Sequence, residues 1–495
     1  MEKYYITTPI YYINDEPHLG TAYTTIAADI LARWHRLKGF KVFFLTGLDE
    51  NSIKTVQAAK QKGFKDIQAY ADEMAGKFKT AWKSLDISYD DFIRTTEERH
   101  KKFVIEFFQK VNEKKLIYKG SYEGLYCNDC ECFKTENELV NGLCPDHKKK
   151  PEKISEENYF FKLSAFEKPL LELYKKNPGF VFPETRKNEL VNFIKQGLRD
   201  ISVSRPGLEW GIEFPLDNKH RTWVWFDALT NYLSACPEGY WPANLHLMAK
   251  DIMRFHAIIW PAMLLAAGYE LPKKIVAHGF LTVNGEKFSK TLGNVIKPDY
   301  LTEKYGVDAL RYHLFREIPF GQDGDFNEQA LKTRINSDLG NDLGNLLQRT
   351  LALIEKKSNN IIPTAPKDTI VVKKNQELFD KIDRQLNALE FHRALETIWV
   401  FLAELNKMVN ETEPWKLEAN SKEINYVLSR LANSLAFSAF LLHAFMPSTS
   451  QVILEQLGLK NIVFNKENFD KAKSVSLIPE NTRIGVKKAL FPRIK

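Results

Sequence analysis

The chain has 495 residues, of which 44% are hydrophobic and 27% are charged, a composition typical of globular proteins with several domains. Its 70 lysine and arginine residues exceed its 63 aspartate and glutamate residues by 7, a mild positive charge that permits a polyanionic partner without requiring one. The longest apolar run is interrupted by Pro261 and is too short to span a bilayer, and the N-terminus lacks a secretion signal, so we expect a cytoplasmic protein without membrane contact.

A strand, a helix and a second strand follow one another at the N-terminus. Residues 3–13 are rich in β-branched and aromatic side chains and predict a buried strand. After Gly20 the apolar residues recur at helical spacing as far as Trp34, and Gly39 ends this helix before a second apolar strand at residues 41–47. Such a unit implies a doubly wound α/β fold with a parallel sheet, whose ligand binds at the carboxyl ends of the strands.

The central part of the chain contains predicted helices, predicted strands and one segment of different amino-acid composition. Helical patterns cover residues 69–85 and 99–116, whereas residues 223–226 and 275–278 have the composition of strands. Residues 120–183 combine cysteines, glycines and short aromatic runs, which indicates an insertion between the two halves of the sheet.

From about Asn327 the pattern is helical and predicts a helix bundle. A loop is predicted between helices at residues 361–374, which contain Pro363 and Pro366. Two apolar stripes at helical spacing are expected to form the core of the bundle: Leu339, Leu343, Leu346 and Leu347, and then Leu395, Ile398, Leu402, Leu405 and Val409.

Two short motifs indicate a site for a nucleoside triphosphate. His18, Gly20 and Thr21 stand at the start of the first helix, where unsatisfied amides and the helix dipole favour phosphate. Lys287 and Lys290 lie in a later glycine-containing loop and can neutralise the charge that develops as pyrophosphate leaves. Either motif alone could be an ordinary turn or a solvated basic loop, but the pair predicts a catalytic site.

Four cysteines lie between residues 127 and 144, and this clustering indicates a metal site. Cys127 and Cys130 form one pair of soft ligands, and Cys144 and His147 form a second, a spacing typical of tetrahedral structural zinc. Cys132 competes for one of these positions, and the alternative is a set of reduced surface cysteines.

Three further groups have both a functional and a structural interpretation. The segment from Trp225 to Leu229, with Tyr232, could line an apolar pocket or belong to the core. His256 precedes an apolar segment, where a buried histidine with satisfied hydrogen bonds is the common case. Asp49 ends a predicted strand at the ligand edge, where its carboxylate could bind an ammonium group or cap the next helix.

The motifs resemble those of class I aminoacyl-tRNA synthetases. The segment from Pro17 to Gly20 resembles their HIGH motif, and the segment from Lys287 to Thr291 resembles their KMSKS loop. The resemblance is strongest to the bacterial methionyl-tRNA synthetases and extends along the chain through TPIYYIN at 8–14, FIRTTEERHKK at 92–102, EGLYCNDC at 123–130, ISVSRPGLEWGI at 201–212, VWFDALTNY at 224–232, KDIMRFH at 250–256, HGFLTVNGEKFSKTLGNV at 278–295 and EPWK at 413–416.

This resemblance implies a role for each candidate residue. Methionine's ammonium group would contact Asp49 and the backbone near Ile10, and its thioether would lie among Tyr12, Trp225, Ala228, Leu229, Tyr232 and His256. ATP, with magnesium, would contact His18, Gly20, Asp251, Lys287, Lys290 and Arg205. Structural zinc would be bound by Cys127, Cys130, Cys144 and His147, and the anticodon would be read by Asn345, Arg349 and Trp415.

The implied function is ligation of methionine to tRNA(Met), the initiator included, by a cytoplasmic monomer. The expected Rossmann-type catalytic domain has its first half at residues 1–115 and its second half at 184–275, with a zinc-knuckle insertion at 116–183 between them. A lysine-loop and stem-contact region is expected at 276–330, and a helical anticodon-binding domain at 331–495. Because the chain ends soon after the bundle, no dimerising domain is expected.

Three positions depart from the family pattern. Thr21 replaces the last histidine of the HIGH motif, Asn51 replaces the histidine of a segment that usually reads TDEHG, and Phe288 replaces the methionine of the lysine loop. The changes at Thr21 and Asn51 motivate a second hypothesis, in which the chain is a catalytically weakened paralogue that serves as a tRNA-binding or regulatory module. Retention of Asp49 and the loop lysines argues against it.

A third hypothesis is a class I synthetase for another amino acid. The isoleucine, valine and leucine enzymes usually carry a large editing insertion, and residues 116–183 are too few for one. The cysteine enzyme would place zinc in its amino-acid pocket, but no ligand set stands near Trp225 or Asp49.

Overall fold

The computed structural model describes residues 1–127, 132–134, 136–145, 148–283, 285–287, 296–366 and 368–494. In chain order, the strands are β1 (Lys3–Tyr12), β2 (Lys41–Asp49), β3 (Asp91–Arg94), β4 (Ile117–Cys127), β5 (Cys132–Lys134), β6 (Glu152–Phe161), β7 (Val181–Phe182), β8 (Ile201–Ser202), β9 (Ser204–Pro206), β10 (His220–Thr222), β11 (Leu245–Ala249), β12 (Ile275–His278), β13 (Leu281–Val283), β14 (Glu286–Lys287) and β15 (Gly324–Asp325).

The α-helices are α1 (Leu19–Leu37), α2 (Ile53–Gln61), α3 (Ile67–Ser84), α4 (Glu98–Glu113), α5 (Glu167–Lys176), α6 (Glu184–Lys195), α7 (Val224–Leu229), α8 (Asn231–Ser234), α9 (Trp260–Ala267), α10 (Pro298–Tyr305), α11 (Val307–Glu317), α12 (Glu328–Arg334), α13 (Asn345–Ser358), α14 (Thr369–Asn387), α15 (Phe391–Thr412), α16 (Lys422–Leu442), α17 (Pro447–Gln456) and α18 (Lys466–Lys473). Two further segments, Phe255–Ile259 and Ile335–Gly344, are π-helical. Within the described residues, no helix combines the length and apolar character needed to cross a membrane.

The central sheet has six strands in the order β3-β2-β1-β11-β12-β7, and every neighbouring pair is parallel. From β1 the sheet grows outward in both directions, through β2 on one side and through β11 on the other. In a doubly wound sheet the ligand crevice opens at this switch point, outside the carboxyl ends of the two central strands. The predicted parallel α/β fold is therefore confirmed, and the crevice lies between β1 and β11.

The first helix covers this sheet as its apolar spacing predicts. Its buried positions include Ala22, Ile26 and Ile30, which pack in the core. After the helix, Gly39 adopts a φ of +90°, a left-handed conformation that favours glycine. The chain then enters β2, whose last seven residues are all buried, as expected for a central strand of a parallel sheet.

The predicted insertion contributes β4, β5 and β6 to an antiparallel sheet in the order β5-β4-β6-β8, whose last strand follows the insertion in the chain. Strands β4 and β6 pair from Ile117 with Phe161 to Tyr126 with Glu152, so they form a long two-stranded arm. Cys127 is the last residue of β4 and pairs with Cys132 of β5. Cys127 and Cys132 therefore lie at the far end of this arm.

Two of the predicted elements are wrong. Residues 223–226 were expected to form a strand, but residues from Val224 onward form α7; their tryptophans and valine favour strands only where a neighbouring strand is available to pair with them. The loop expected at residues 361–374 ends early, because Asp368 caps α14 by accepting hydrogen bonds from the amides of Ile370 and Val371.

The helical C-terminal region packs on the sheet domain through a buried ionic contact. Both predicted apolar stripes are buried, which confirms the helical core, although the first stripe begins in the π-helical segment. Arg311 of α11 is fully buried and donates to Asp29 of α1 and to the carbonyl groups of Leu85, Ala444 and Phe445. The helix that carries His18 at its start is thereby fixed to the turn between α16 and α17.

Candidate active site at the switch point of the sheet

Residues from three strands meet at the carboxyl edge of the sheet. His18 follows β1, and Asp251 follows β11 in an exposed turn of 3₁₀ helix. Asp49 is the last residue of β2, and its Cα is paired with that of Tyr12 at the end of β1. The structure therefore brings together residues that the sequence placed in separate motifs.

His18 is the N-cap of α1, and its hydrogen bonds define its tautomer. Its Nδ1 accepts a hydrogen bond from the backbone N–H of Gly20 at 3.0 Å, so Nδ1 carries no proton. Burial lowers the pKa of His18 below its ordinary value, an effect only partly opposed by Asp15. The imidazole is therefore neutral at pH 7 with its proton on Nε2, which makes Nε2 a hydrogen-bond donor.

Thr21 completes a capping box with His18. The Thr21 hydroxyl accepts a hydrogen bond from the backbone N–H of His18 at 3.1 Å and lies 2.7 Å from the His18 carbonyl oxygen, to which it donates. This box satisfies amides that a helix start leaves without partners. Thr21, which the motif places among the catalytic residues, therefore also fixes the turn that holds His18.

The end of the lysine loop lies beside this turn. Before the loop, β14 pairs with β13, and the amide of Gly285 donates to Asp325 at 2.8 Å. Lys287 is the last residue of β14, whereas Lys290 lies outside the described residues. After the loop, the carbonyl of Ile296 accepts a hydrogen bond from the amide of Leu19 at 3.0 Å. The chain thus leaves the loop in direct contact with the first residue of α1.

An ion pair reinforces this junction. Glu16 lies 2.6 Å from Lys297 and 3.0 Å from Lys77. Hydrogen bonds from Lys297 and Lys77 lower the pKa of Glu16 to about 2, so its carboxylate is charged throughout the physiological range. Sequence reasoning missed Glu16 and Ile296, because nothing in the local pattern links positions so far apart in the chain.

An aromatic cluster, the predicted amino-acid pocket, adjoins Asp49 through Tyr12, whose Cα is paired with that of Asp49. Trp225 stacks on Phe255, with ring centroids 3.7 Å apart and planes at 3°, and the ring of Tyr12 meets Trp225 edge-on at 6.3 Å. The ring of His256 stands 6.2 Å from Trp225 at 84°. Ala228 and Leu229 follow on α7 and are buried. The predicted aromatic residues therefore share one region, and Phe255 is an additional member that the sequence analysis omitted.

The polar side chains of this pocket are uncharged at neutral pH. His256 Nδ1 lies 3.0 Å from the carbonyl oxygen of Ile252, so Nδ1 carries the proton, and Tyr232 donates its hydroxyl proton to Nε2 at 2.7 Å. Burial lowers the pKa of His256 to about 4. A pocket of aromatic rings that includes Tyr12 and Tyr232 suits an apolar, polarizable side chain.

Asn51 lies behind the pocket rather than on the phosphate side. Its side-chain amide donates to Asp227 Oδ2 at 2.8 Å and to the carbonyl of Thr95 at 3.2 Å, and the residue is buried. Arg205 lies on the insertion side, with its Cζ 3.8 Å from the ring centroid of Tyr126. The two departures from the family pattern, Thr21 and Asn51, thus occupy different places in the structure.

The metal site predicted in the arm is only partly described. Cys127 and Cys144 are buried, and the carbonyl of Cys144 accepts a hydrogen bond from the amide of Lys148 at 2.7 Å. Cys130 and His147 lie outside the described residues. Among the residues the structure does describe, no three His, Cys, Asp or Glu side chains are grouped to bind a metal ion.

The three residues predicted to read an anticodon lie on the helical region. Asn345 and Arg349 are four residues apart on α13 and so share one face. Arg349 donates to Asn410 at 3.0 Å, and its Cζ lies 5.9 Å from the ring centroid of Trp415. Trp415 is 44% exposed, which is unusual for such a large apolar ring and typical of a binding surface.

The parallel sheet, the capped histidine turn and the adjoining lysine loop define a class I aminoacyl-tRNA synthetase. The family described as "tRNA synthetases class I (M)" matches residues 4–153 and 137–351, and the family described as "Anticodon binding domain of methionyl tRNA ligase" matches residues 362–495. The chain therefore belongs to the methionyl family of class I tRNA synthetases.

Individual relatives agree with this assignment. The methionine–tRNA ligases of Caldanaerobacter subterraneus subsp. tengcongensis and Fusobacterium nucleatum subsp. nucleatum are both 46% identical over 100% of the chain, which covers 79% and 80% of their respective lengths. The solved structure of Mycobacterium tuberculosis methionyl-tRNA synthetase in complex with methionyl-adenylate is 38% identical, with a TM-score of 0.92 and coverage of 100% of both chains.

Proposed function

We propose that the chain activates L-methionine with ATP, supplied as its magnesium complex, and transfers the methionyl group to the terminal adenosine of tRNA(Met), the initiator included. The observation that carries this proposal is the hydrogen bond from Leu19 to Ile296, which joins the histidine turn to the end of the lysine loop at the ligand edge of the sheet. Membership of the methionyl family supports methionine as the amino acid.

In the activation step the methionine carboxylate attacks the α-phosphorus of ATP, and pyrophosphate leaves with the electrons of the broken P–O bond. His18 donates its Nε2 proton in a hydrogen bond to a phosphate oxygen. Gly20 lacks a Cβ and so admits the nucleotide close to the backbone, and Lys287 and Lys290 neutralise the leaving pyrophosphate. These groups position the reactants and stabilise charge, and no covalent enzyme intermediate is needed.

The remaining contacts hold the two substrates. Asp49 is buried and binds the methionine ammonium group, with a backbone contact near Ile10, while the thioether enters the pocket of Tyr12, Trp225, Ala228, Leu229, Tyr232 and His256. Asp251 contacts the ribose, and Arg205 lies near the reacting groups. In the transfer step the 2′-hydroxyl of the terminal adenosine attacks the methionyl carbonyl, and AMP leaves.

Pyrophosphate–ATP exchange tests this proposal. We expect exchange that depends on methionine and magnesium, together with charging of tRNA(Met). Absence of exchange under all conditions, with tRNA bound normally, would favour the weakened paralogue instead. Exchange that depends on isoleucine, valine, leucine or cysteine rather than methionine would contradict the assigned amino acid.

Replacing Glu16 with glutamine should slow exchange about two- to fivefold, because exposed ion pairs contribute about 0.2–1 kcal/mol and Glu16 anchors the lysine loop through Lys297. The matched control is Glu73→Gln, since Glu73 also pairs with Lys77, at 2.9 Å, whereas among the described residues Lys297 pairs with Glu16 and not with Glu73. Equal rates for the two variants would show that the anchor does not influence catalysis.

Replacing Trp415 with alanine should lower kcat/KM for tRNA charging roughly 10- to 100-fold, because stacking of one base on an aromatic ring contributes about 1–3 kcal/mol. Exchange without tRNA should be unchanged, since Trp415 lies on the helical region. Tyr426, another partly exposed aromatic residue of that region, provides the control variant Tyr426→Ala. An equal loss in both variants would argue against base stacking on Trp415.

Structural zinc is proposed at Cys127, Cys130, Cys144 and His147. Two of these residues are buried sulfur donors at the end of the arm, which fits a structural site; bound zinc would hold the two turns together. Metal analysis should find about one equivalent of zinc per purified chain. The Cys144→Ser variant should lose it, and Cys236→Ser should keep it. Full zinc content in Cys144→Ser would place the metal elsewhere.

The proposed working form is a cytoplasmic monomer, because the substrates are ATP, a free amino acid and tRNA, and each predicted site is built from residues of one chain. Sedimentation at working concentration should give the mass of a single chain.

A further inference from the structure

A chain of buried hydrogen bonds runs behind the proposed methionine site. It begins at Asp49, whose Oδ1 accepts a hydrogen bond from the backbone N–H of Asn51 at 3.3 Å. The side-chain amide of Asn51 then donates to Asp227 Oδ2 at 2.8 Å. Asp227 Oδ1 accepts from His100 Nε2 at 2.6 Å, and His100 Nδ1 lies 2.7 Å from Ser234 Oγ.

These groups are removed from water. Asp227 and His100 are fully buried, and Asn51 and Asp49 are 7% and 3% exposed. A buried carboxylate is costly unless it is hydrogen-bonded, and both oxygens of Asp227 have a partner. The arrangement therefore has little freedom to shift, because any displacement of Asp227 would break hydrogen bonds that water cannot replace.

The position of Asp227 gives this network a functional meaning. Asp227 lies on α7 between Trp225 and Ala228, both assigned to the thioether pocket, so fixing its carboxylate fixes the helix that carries the pocket wall. At the other end, the backbone of Asn51 touches the carboxylate assigned to the ammonium group. Asn51 thus connects the two ends of the proposed amino-acid site.

We propose that the link from Asn51 to Asp227 sets the distance between the ammonium site at Asp49 and the thioether pocket, and so selects the length of the amino-acid side chain. This inference rests on the proposed function. Asn51 and Asp227 act as positioning residues, since they act through Asp49 and α7 rather than by touching the reacting atoms. Asn51, which replaces the histidine of the family pattern, still supplies a hydrogen-bond donor to Asp227.

The test compares amino acids that differ in length in the exchange reaction. Wild type and Asn51→Ala are assayed with methionine, with ethionine, which is one carbon longer, and with norvaline, which is shorter. In Asn51→Ala we expect KM for methionine to rise about tenfold, the effect of one lost hydrogen bond to a buried carboxylate. KM for ATP should stay within about twofold, and the preference in kcat/KM for methionine over ethionine should fall about tenfold.

Two further variants separate positioning from general damage. Asp227→Asn keeps the side-chain volume but cannot accept from both His100 and Asn51, so it should show the same change in preference. Asn51→His retains a ring N–H that can donate to Asp227 and should recover most of the preference. The control Tyr312→Phe removes a buried hydrogen bond to Asp338 of 2.7 Å far from the pocket; it should lower thermal stability without altering the preference.

The outcomes separate failure of the proposed function from failure of the proposed role of Asn51 and Asp227. No methionine-dependent exchange by wild type contradicts the proposed function itself. An active wild type whose length preference is unchanged in both Asn51→Ala and Asp227→Asn overturns the inference and leaves the function intact. The same holds if both variants raise the KM values for methionine and ATP equally, since that pattern indicates general loss of structure.

Discussion

Replacing His18 with alanine is expected to slow methionine-dependent pyrophosphate exchange about 10²- to 10³-fold, the usual effect of removing one donor to the charge that forms in a transition state. The reason is the tautomer that the fold imposes. Gly20 donates to Nδ1, and burial keeps the ring neutral, so Nε2 carries the proton that we propose is donated to a phosphate oxygen. Steady-state exchange, with methionine binding measured separately by calorimetry, separates rate from affinity.

A second substitution isolates this donor from the capping function of His18. In His18→Asn the side-chain oxygen can still accept from the amide of Gly20, because asparagine is a favoured N-cap residue, but no donor remains at the position of Nε2. We expect normal thermal stability and the same loss of exchange as in the alanine variant. Exchange within tenfold of wild type would mean that His18 only caps the helix.

Replacing Arg311 with methionine is expected to lower the free energy of unfolding by about 3–5 kcal/mol, the effect of removing one partner of a buried ion pair. Arg311 and Asp29 are fully buried, 2.6 Å apart, and three backbone carbonyls also accept from the guanidinium group. Urea unfolding followed by circular dichroism measures the change. Arg393→Met provides the control, since the pair of Arg393 with Glu390 is exposed and contributes at most about 1 kcal/mol.

The same contact makes stability depend on pH. Burial would raise the pKa of Asp29, but Arg33, Arg311 and Ser88 hold it well below its ordinary value. A carboxyl whose folded pKa is depressed stabilises the protein above its unfolded pKa, near 4, and this contribution is lost as the pH falls below that value. The stability difference between wild type and Arg311→Met should therefore shrink between about pH 4 and pH 2. A constant difference across this range would show that the Arg311 contribution is not electrostatic.

Patterns between residues close in sequence predicted most of the fold. The strand of residues 3–13, the helix after Gly20 and the strand ending at Asp49 lie within one or two residues of their expected ends. Each is a continuous run whose spacing reports which face is buried. The strand predicted at residues 223–226 was wrong, because aromatic composition alone cannot distinguish a strand from a buried helical turn when the neighbouring elements are unknown.

The site could be predicted as a set of motifs but not as a geometry. His18, Asp49 and Trp225 were identified from their local sequence context. The residues that hold them, such as Glu16, Asp227 and Arg311, depend on partners more than fifty residues away, and a charged residue in the sequence gives no sign of such a partner. Sequence reasoning identified Thr21 and Asn51 only as departures from the family pattern, whereas the structure shows that Thr21 completes a helix cap and that Asn51 donates a hydrogen bond to Asp227.

The most direct test of the proposed mechanism is a crystal structure with a non-hydrolysable methionyl-adenylate analogue. We expect His18 Nε2 within about 2.7–3.2 Å of the group that replaces the α-phosphate, with the lysine loop ordered over the same cavity and the thioether against Trp225. An analogue bound away from the carboxyl ends of β1 and β11, or a lysine loop that faces a different surface from His18, would contradict it.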